Sequence, residues 1–417
     1  MDAINPFPKG PIKNLVVLVM ENRSFDSVLG RLKWDGMNPA VDGLNGTEFN
    51  EADGKKYYVT KATISDRVFD PLHFIWDMTK QIYSIDGDVV GDAKPEMKGF
   101  ARSGFGKSGD YGAIVTMEAH GPDTMPVTYA LAQQFSIIED WFASFPGSTY
   151  PNRNFVHCAT SAGQVSNAAE ATCDDSRAWS SGVDCHTVFD SLREKGYSWK
   201  IYTSNYNPWS EVPAENKKVT TNFFKSQCRP ANMMRVNRMS DLHVHARAGR
   251  LAPYTFIDPQ QDVTDNHPPA DLRAGEKLVK ELYESLRASP QWNQTLFLIT
   301  YDENGGFYDH VSPPTGVPAP DNIPADHSVG DFKFDRLGAR VPAILISPLV
   351  PKGGVFRSTV PGRHYEHSSI SATIKRIFDL PSFLTKRDAW ALPFDNIASL
   401  PTPRTDCPVT MPDPYAH

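Results

Sequence analysis

Five short apolar runs punctuate the chain: NLVVLVM at 14–20, SWKIYT at 198–203, YTFID at 254–258, TLFLITYD at 295–302 and PAILIS at 342–347. Each reads as a buried strand. Helical patterns lie between them. TVFDSLREKG at 187–196 stops at a glycine, a normal helix end. The 270–289 segment sets Leu278, Leu282 and Leu286 four apart on one face, and 367–380 does the same with Ile370, Ile374 and Ile377. Strands alternating with helices predict an α/β fold with a central, mostly parallel sheet flanked by helices. In such sheets ligands gather at the carboxyl ends of the strands. Two strands end in paired oxygen-bearing side chains: Glu21-Asn22 after the first and Asp302-Glu303 after the fourth.

The more polar segments at about 31–70, 80–112 and 205–245 read as insertions and loops around the site rather than as separate domains, so 1–417 is read as one domain. After Ser399 the Pro-rich tail is expected to be extended. His243 and His245 alternate as on a strand face and are read as surface residues.

Composition narrows the class. With 417 residues, 40% hydrophobic and 22% charged, the chain is globular. A formal net charge of -7 and no long Lys/Arg run argue against nucleic acid as a partner. No apolar stretch approaches the roughly 20 residues of a membrane span. The first fourteen residues hold three prolines and no apolar leader core. An odd count of five cysteines then favours reduced thiols and a cytoplasmic setting, with Cys173–Cys185 pairing as the alternative if the protein is secreted.

Four clusters carry chemistry. ENRSFD opens at Glu21, FASFPGSTYPNRNF spans 142–155, DNHPPAD spans 265–271 and YDENGGFYDHV spans 301–311. Hard cations take oxygen ligands, and Glu21, Asn22, Asp302 and Glu303 together suit a divalent metal ion of unspecified identity. PGSTYPNR is a tight turn with adjacent hydroxyls, Ser148 and Thr149. A hydroxyl needs a base or metal to become a nucleophile, a condition that such a cation would meet. Arg153 either clamps phosphate or pairs with a carboxylate and holds the loop. Ser24 is a candidate helix N-cap and Asp26, in the first turn, is read as structural.

Taken together, ENRSFD, PGSTYPNR, DNHPPAD, TYDENGGFYDHV, RVPAILISP and YEHSSISATIKRIF resemble the phosphoesterase family of non-specific phospholipases C and related acid phosphatases. The resemblance runs from about Lys13 to about Pro408 and is nearer to plant-type non-specific phospholipase C. It implies an alkaline phosphatase-like fold and a metal-supported site with Thr149 transiently phosphorylated. Glu21, Asn22, Asp302 and Glu303 fall at the family's metal or site-carboxylate positions. His73 in FDPLHF, His267 in DNHPPAD and His310 in GFYDHV fall at family histidines. Two positions depart: Ala270 and Asn304 stand where plant members have histidine. Plant members also carry a long C-terminal extension linked to membrane association, and this chain stops soon after DCPVTMPDP.

The expected reaction is hydrolysis of a phosphodiester, most specifically of a glycerophospholipid to diacylglycerol and a phosphorylated headgroup. His73 or His267 is the general acid, a choice that the sequence leaves open. Rival readings are an acid phosphatase acting on phosphomonoesters and a non-catalytic lipid- or phosphate-binding homologue. The expected partner is a phospholipid or small phosphodiester, with peripheral membrane contact.

Overall fold

The apolar runs pair into one sheet because strands apolar on both faces must be covered on both faces. The computed structural model describes residues 8, 10–86, 93–167, 183–204, 224–227, 229–326 and 332–416. We number the strands of the central sheet alone: β1 (Asn14–Met20), β2 (Ser136–Ile138), β3 (Trp199–Thr203), β4 (Val236–Arg238), β5 (Tyr254–Asp258), β6 (Thr295–Tyr301), β7 (Ala343–Ile346) and β8 (Gly354–Phe356). Their spatial order is β8-β2-β7-β6-β1-β5-β3-β4. Only β7 runs against its neighbours; the other pairings are parallel. The expected mostly parallel, helix-flanked sheet is what the chain forms. Strand β1 sits between β6 and β5, with Met20 opposite Tyr301 and Leu18 opposite Ile257. That register brings the carboxyl ends of β1, β5 and β6 together.

The five expected strands are present. Three more, β2, β4 and β8, are three residues each, too short for any periodicity to show. The helix Leu272–Arg287 buries Leu278, Leu282 and Leu286 as expected, and Asp271 caps it by accepting from Arg273 N. Val188–Glu194 carries a reciprocal cap between Thr187 and Asp190. Ser368–Ile377 buries Ile370 and Ile374, whereas Ile377 is only partly covered.

Other expectations change. The 31–70 segment is not only loop: it holds a hairpin, Phe49–Ala52 with Lys55–Tyr58. The 80–112 segment runs into a helix, Phe100–Thr116, broken at Ser108 and Gly109. Its glycines hide the helical pattern, and burial of Phe100, Ala101, Ala113 and Val115 overrides their poor propensity. His243 and His245 lie on a helix, Met239–Arg247, not on a strand; Asp241 starts it by accepting from Arg238 N at 3.2 Å. Much of the 205–245 segment lies outside the described residues. The tail after Ser399 is irregular but anchored: Tyr283 donates to Pro408 O at 2.6 Å, and Cys407 and Met411 are buried in the core.

The cysteine expectation is corrected. Cys158 and Cys185 form a disulfide across a sequence separation of 27. Cys158 ends the helix that carries Thr149, and the fold brings Cys185 to that end, with a Cα–Cα distance of 6.3 Å. Cys185 is therefore not the partner of Cys173, which lies outside the described residues. Cys407 is a buried free thiol. Among the described residues no helix is long and apolar enough to cross a membrane.

Candidate active site

Three adjacent strand ends supply acids. Glu21 and Asn22 follow β1, Asp258 closes β5, and Asp302 and Glu303 follow β6; all five are buried. Asn22 takes a left-handed backbone (φ 65°), a conformation that Asn tolerates better than most residues. Its N–H donates to Asp302 Oδ1 at 3.3 Å. The DENGG turn can press against this backbone because Gly305 lacks a Cβ; one there would lie 2.5 Å from Asn22 O.

The helix Thr149–Cys158 points its first residue at these acids. The preceding Pro-Gly turn is held by Asn152, whose Oδ1 accepts from Phe145 N at 2.9 Å and whose Nδ2 donates to Phe145 O at 3.0 Å and Gly147 O at 3.1 Å. Pro151, in the first turn, removes an N–H that has no helical partner there. Thr149 Oγ1 donates to Glu21 Oε1 at 3.3 Å. The Ser148 hydroxyl, by contrast, is buried with no hydrogen-bond partner. One turn on, Arg153 donates from Nε to Asp302 Oδ2 at 2.9 Å and from an NH2 to Glu21 Oε2 at 3.3 Å, and lies 3.5 Å from Asp258 Oδ1. The same NH2 reaches Met20 O at 3.2 Å. Arg153 thus ties the strand ends together, one of the two roles open to it from sequence.

Two histidines face the acids from loops. His73 has Nδ1 2.8 Å from Pro71 O and Nε2 3.8 Å from Glu303 Oε1. His267 has Nδ1 2.6 Å from Pro268 O. Their rings lie 6.1 Å apart. With Nδ1 engaged by a carbonyl in each, Nε2 is the nitrogen left for the site. Asp70 lies 3.8 Å from His73 Nδ1 and accepts from Asn22 Nδ2 at 3.0 Å.

Burial governs the charges. It pushes Glu21 up to about 7 against the opposing pull of Arg153, and raises Asp302 to about 6. Glu303 is pushed well above the carboxylate range by burial and then by neighbouring Asp302. Burial alone would lower His267, but the Glu21 and Asp70 carboxylates hold it above its ordinary value. Glu21, Asp258 and Asp302 share one guanidinium, Arg153, and the excess of acids over cations favours a further cation.

The donor chemistry fits a hard divalent ion. Asn22 Oδ1 and Glu303 Oε1 are buried oxygens with no hydrogen-bond partner, an arrangement that is costly unless a cation fills it. Glu303 Oε2, in contrast, accepts from Gly305 N at 2.5 Å. Asp302 is already engaged on both oxygens, by Arg153, Asn22 N and Glu303 N. Among the described residues, two groups bring three His or acid ligand atoms within 4.8 Å of one another: Asp70, His73 and His267, and separately Asp26, Asp309 and His310. The first adjoins Asn22 and Glu303.

His310 belongs to the second of these groups. It lies 2.7 Å from Asp26 Oδ2 and 3.3 Å from Asp42 Oδ1. Arg340 binds the same cluster, at 3.1 Å from Asp26 and 3.0 Å from Asp309. Ser24 caps the helix Phe25–Leu29 as expected. Ala270 closes a turn by donating from its N–H to His267 O at 2.8 Å, and the Asn304 side chain donates to Phe307 O at 3.0 Å.

Sequence reasoning left out four residues of this assembly. Asp258 ends the YTFID run, so the strand-end rule reaches it too. Asp70 precedes His73 by three residues in FDPLHF, and Asp265 opens DNHPPAD, with its backbone O accepting from Glu21 N at 2.8 Å. His367 lies 2.5 Å from Asp302 O through Nε2 and accepts from Trp141 Nε1 at 3.3 Å.

With this geometry in place, comparisons with known proteins are specific. The pattern of the phosphoesterase family matches residues 12–381. Non-specific phospholipase C6 of Arabidopsis thaliana is 40% identical, covering 97% of this chain and 76% of its own length. Non-specific phospholipase C1 of the same plant is 41% identical over 97% of this chain and 74% of its own. Phospholipase C A of Mycobacterium tuberculosis is 26% identical over 89% and 73%. Among solved structures, a protein in the alkaline phosphatase superfamily from Vibrio parahaemolyticus aligns with a TM-score of 0.40 and 10% identity, covering 90% of this chain and 69% of that one.

Proposed function

Because this chain belongs to the phosphoesterase family and is a phosphoric ester hydrolase, we propose that it acts as a non-specific phospholipase C, with Thr149 as nucleophile. The observation that carries the assignment is the Thr149 hydroxyl at the start of its helix, 3.3 Å from a buried carboxylate oxygen of Glu21.

In the first step Thr149 Oγ1 attacks phosphorus, the bond from phosphorus to the glyceryl oxygen breaks, and the Thr149 proton passes towards Glu21. His267, whose proton is held by Glu21 and Asp70, protonates the departing oxygen of diacylglycerol. In the second step His267, now neutral, takes a proton from the water that attacks the phosphothreonine, the bond from phosphorus to Oγ1 breaks, Glu21 returns its proton to Oγ1, and the phosphorylated headgroup leaves. His73, near Glu303, orients a phosphoryl oxygen. The N–H groups opening the Thr149–Cys158 helix and the helix dipole favour the same negative charge. Asn22 and Glu303, with Glu21 and Asp302 beside them, would hold a divalent ion. Such an ion supplies Lewis-acid stabilisation of the phosphoryl charge. The chain is read as one domain with insertions.

Brief incubation with phosphatidylcholine, acid quench and peptide mapping tests this reading. Phosphate is expected on the peptide at Thr149. Phosphate on Ser148 would move the nucleophile by one residue. An active Thr149→Ala protein with no phosphopeptide would replace the covalent route. Parallel assays on an aryl phosphomonoester separate a phospholipase C from an acid phosphatase.

A further inference from the structure

Thr149 is buried, 3% exposed, yet a phospholipid presents its phosphorus at the edge of a bilayer. The substrate must therefore be drawn into the site past whatever surrounds its mouth. The segment that delivers Asp70 and His73 is unusually apolar on its outer side. Val68 is 72% exposed, Phe74 50% and Trp76 45%. Phe74 stacks beside the His73 ring with centroids 6.0 Å apart, so this surface is continuous with the site itself. Tyr111, 46% exposed, joins the surface through Phe69, at 5.8 Å between rings. Soluble proteins expose single apolar side chains routinely, but several around one opening mark an interaction surface.

We propose that Val68, Phe74, Trp76 and Tyr111 form an interfacial docking rim that inserts into the headgroup boundary of a phospholipid bilayer and sets the site mouth on the lipid. The inference rests on the phospholipase C reading. Trp and Tyr suit this depth, because each couples an apolar body to a polar edge. Charge is not the main attraction. Lys107, the cation beside Asp70, lies 4.0 Å from its carboxylate and also donates to its backbone carbonyl. Arg67 is paired with Glu118 and Arg273 with Asp271. The rim therefore fits a zwitterionic surface, held by apolar contact and only weakly sensitive to salt.

The test measures binding apart from turnover. The whole protein is sedimented with phosphatidylcholine vesicles, and hydrolysis is followed on vesicles and on a monomeric short-chain phosphatidylcholine. The Val68→Glu/Trp76→Glu variant is expected to bind vesicles about tenfold more weakly or worse, since two exposed apolar side chains that would enter the bilayer are replaced by charges. Its hydrolysis of vesicle lipid should fall in step, with hydrolysis of the monomeric lipid unchanged. Brominated phosphatidylcholine should quench the fluorescence difference between wild type and Trp76→Phe, a readout that does not depend on the charged variant folding. Wild-type affinity in the double variant, or no quenching at Trp76, would overturn the rim. So would self-association without lipid that the same variant abolishes, which would assign the surface to a second copy. Vesicle binding through the rim without hydrolysis of either lipid would instead count against the phospholipase C reading alone.

Discussion

Thr149 and Arg153, one helical turn apart, meet on opposite oxygens of one carboxylate: the hydroxyl lies 3.3 Å from Glu21 Oε1 and the guanidinium 3.3 Å from Glu21 Oε2. Arg153 also counters Asp258 and Asp302, and its own charge is strengthened by them. Arg153→Ala would leave three buried acids without their cation. It should lower stability by about 3–5 kcal/mol, the usual cost of breaking a buried pair from one side. Urea unfolding checks this, and a shift below 1 kcal/mol would show the network to be dispensable.

Thr149→Ala should abolish turnover, by on the order of a thousandfold or more, because no hydroxyl remains to carry phosphate. Thr149→Ser should keep part of the rate. Ser148→Ala should weaken it only modestly, since the Ser148 hydroxyl makes no hydrogen bond to Glu21. Steady-state assays of the three folded variants decide among them.

Chelation should inactivate the enzyme, and a divalent ion should restore it. Glu303→Gln is expected to weaken ion binding, because Glu303 Oε1, like Asn22 Oδ1, is a buried oxygen at the strand ends with no hydrogen-bond partner. Asp302→Ala should lose most activity, having removed a partner of both Arg153 and Asn22. Titration calorimetry on the chelator-treated protein reads the first effect. A folded, fully active Asp302→Ala enzyme would sink the second.

Glu276 gives a pH prediction away from the site. It is buried, accepts from Val127 N at 2.6 Å and Thr128 N at 3.1 Å, and burial raises it from 4.5 to about 7. A folded pKa above the unfolded one means that folding takes up a proton between these values. Stability is then greatest below about 4.5 and declines as pH rises through 7. Melting curves from pH 5 to 8 should show this decline, at most on the order of 3 kcal/mol, and Glu276→Gln should flatten it.

His310 slopes the same way for another reason. Burial alone would lower it, but Asp26 at 2.7 Å overcomes that and raises it from 6.5 to about 9. Its ion-pair stabilisation is fully present below 6.5 and lost as pH passes 9. An NMR titration should find this elevated value, and Asp26→Asn should bring it down. An unchanged value in that variant would remove Asp26 as the cause.

The Cys158–Cys185 link should contribute about 3.5 kcal/mol by restricting the unfolded chain, given a sequence separation of 27. Melting with and without reductant checks this, with Cys185→Ser as the control.

The sequence by itself determined the sheet, its main strands and the acid pairs at two strand ends. Local patterning suffices for such features: an apolar run must be buried, and an acid pair at its end stands out against it. Glu21, Asn22, Asp302 and Glu303 were legible on that ground, and Thr149, His73 and His267 through their motifs. Tertiary structure decided what each side chain faces. Asp258 and Asp70 become neighbours of residues far away in the chain only when β1, β5 and β6 align, and that alignment turns Arg153 onto three carboxylates. His310, legible by its motif, has its partners set by the fold as well: it pairs with Asp26 and Asp42. The helix Phe100–Thr116 and the Cys158–Cys185 pair were hidden for the same physical reason. Propensity and spacing are local, whereas burial and proximity are set by the whole fold.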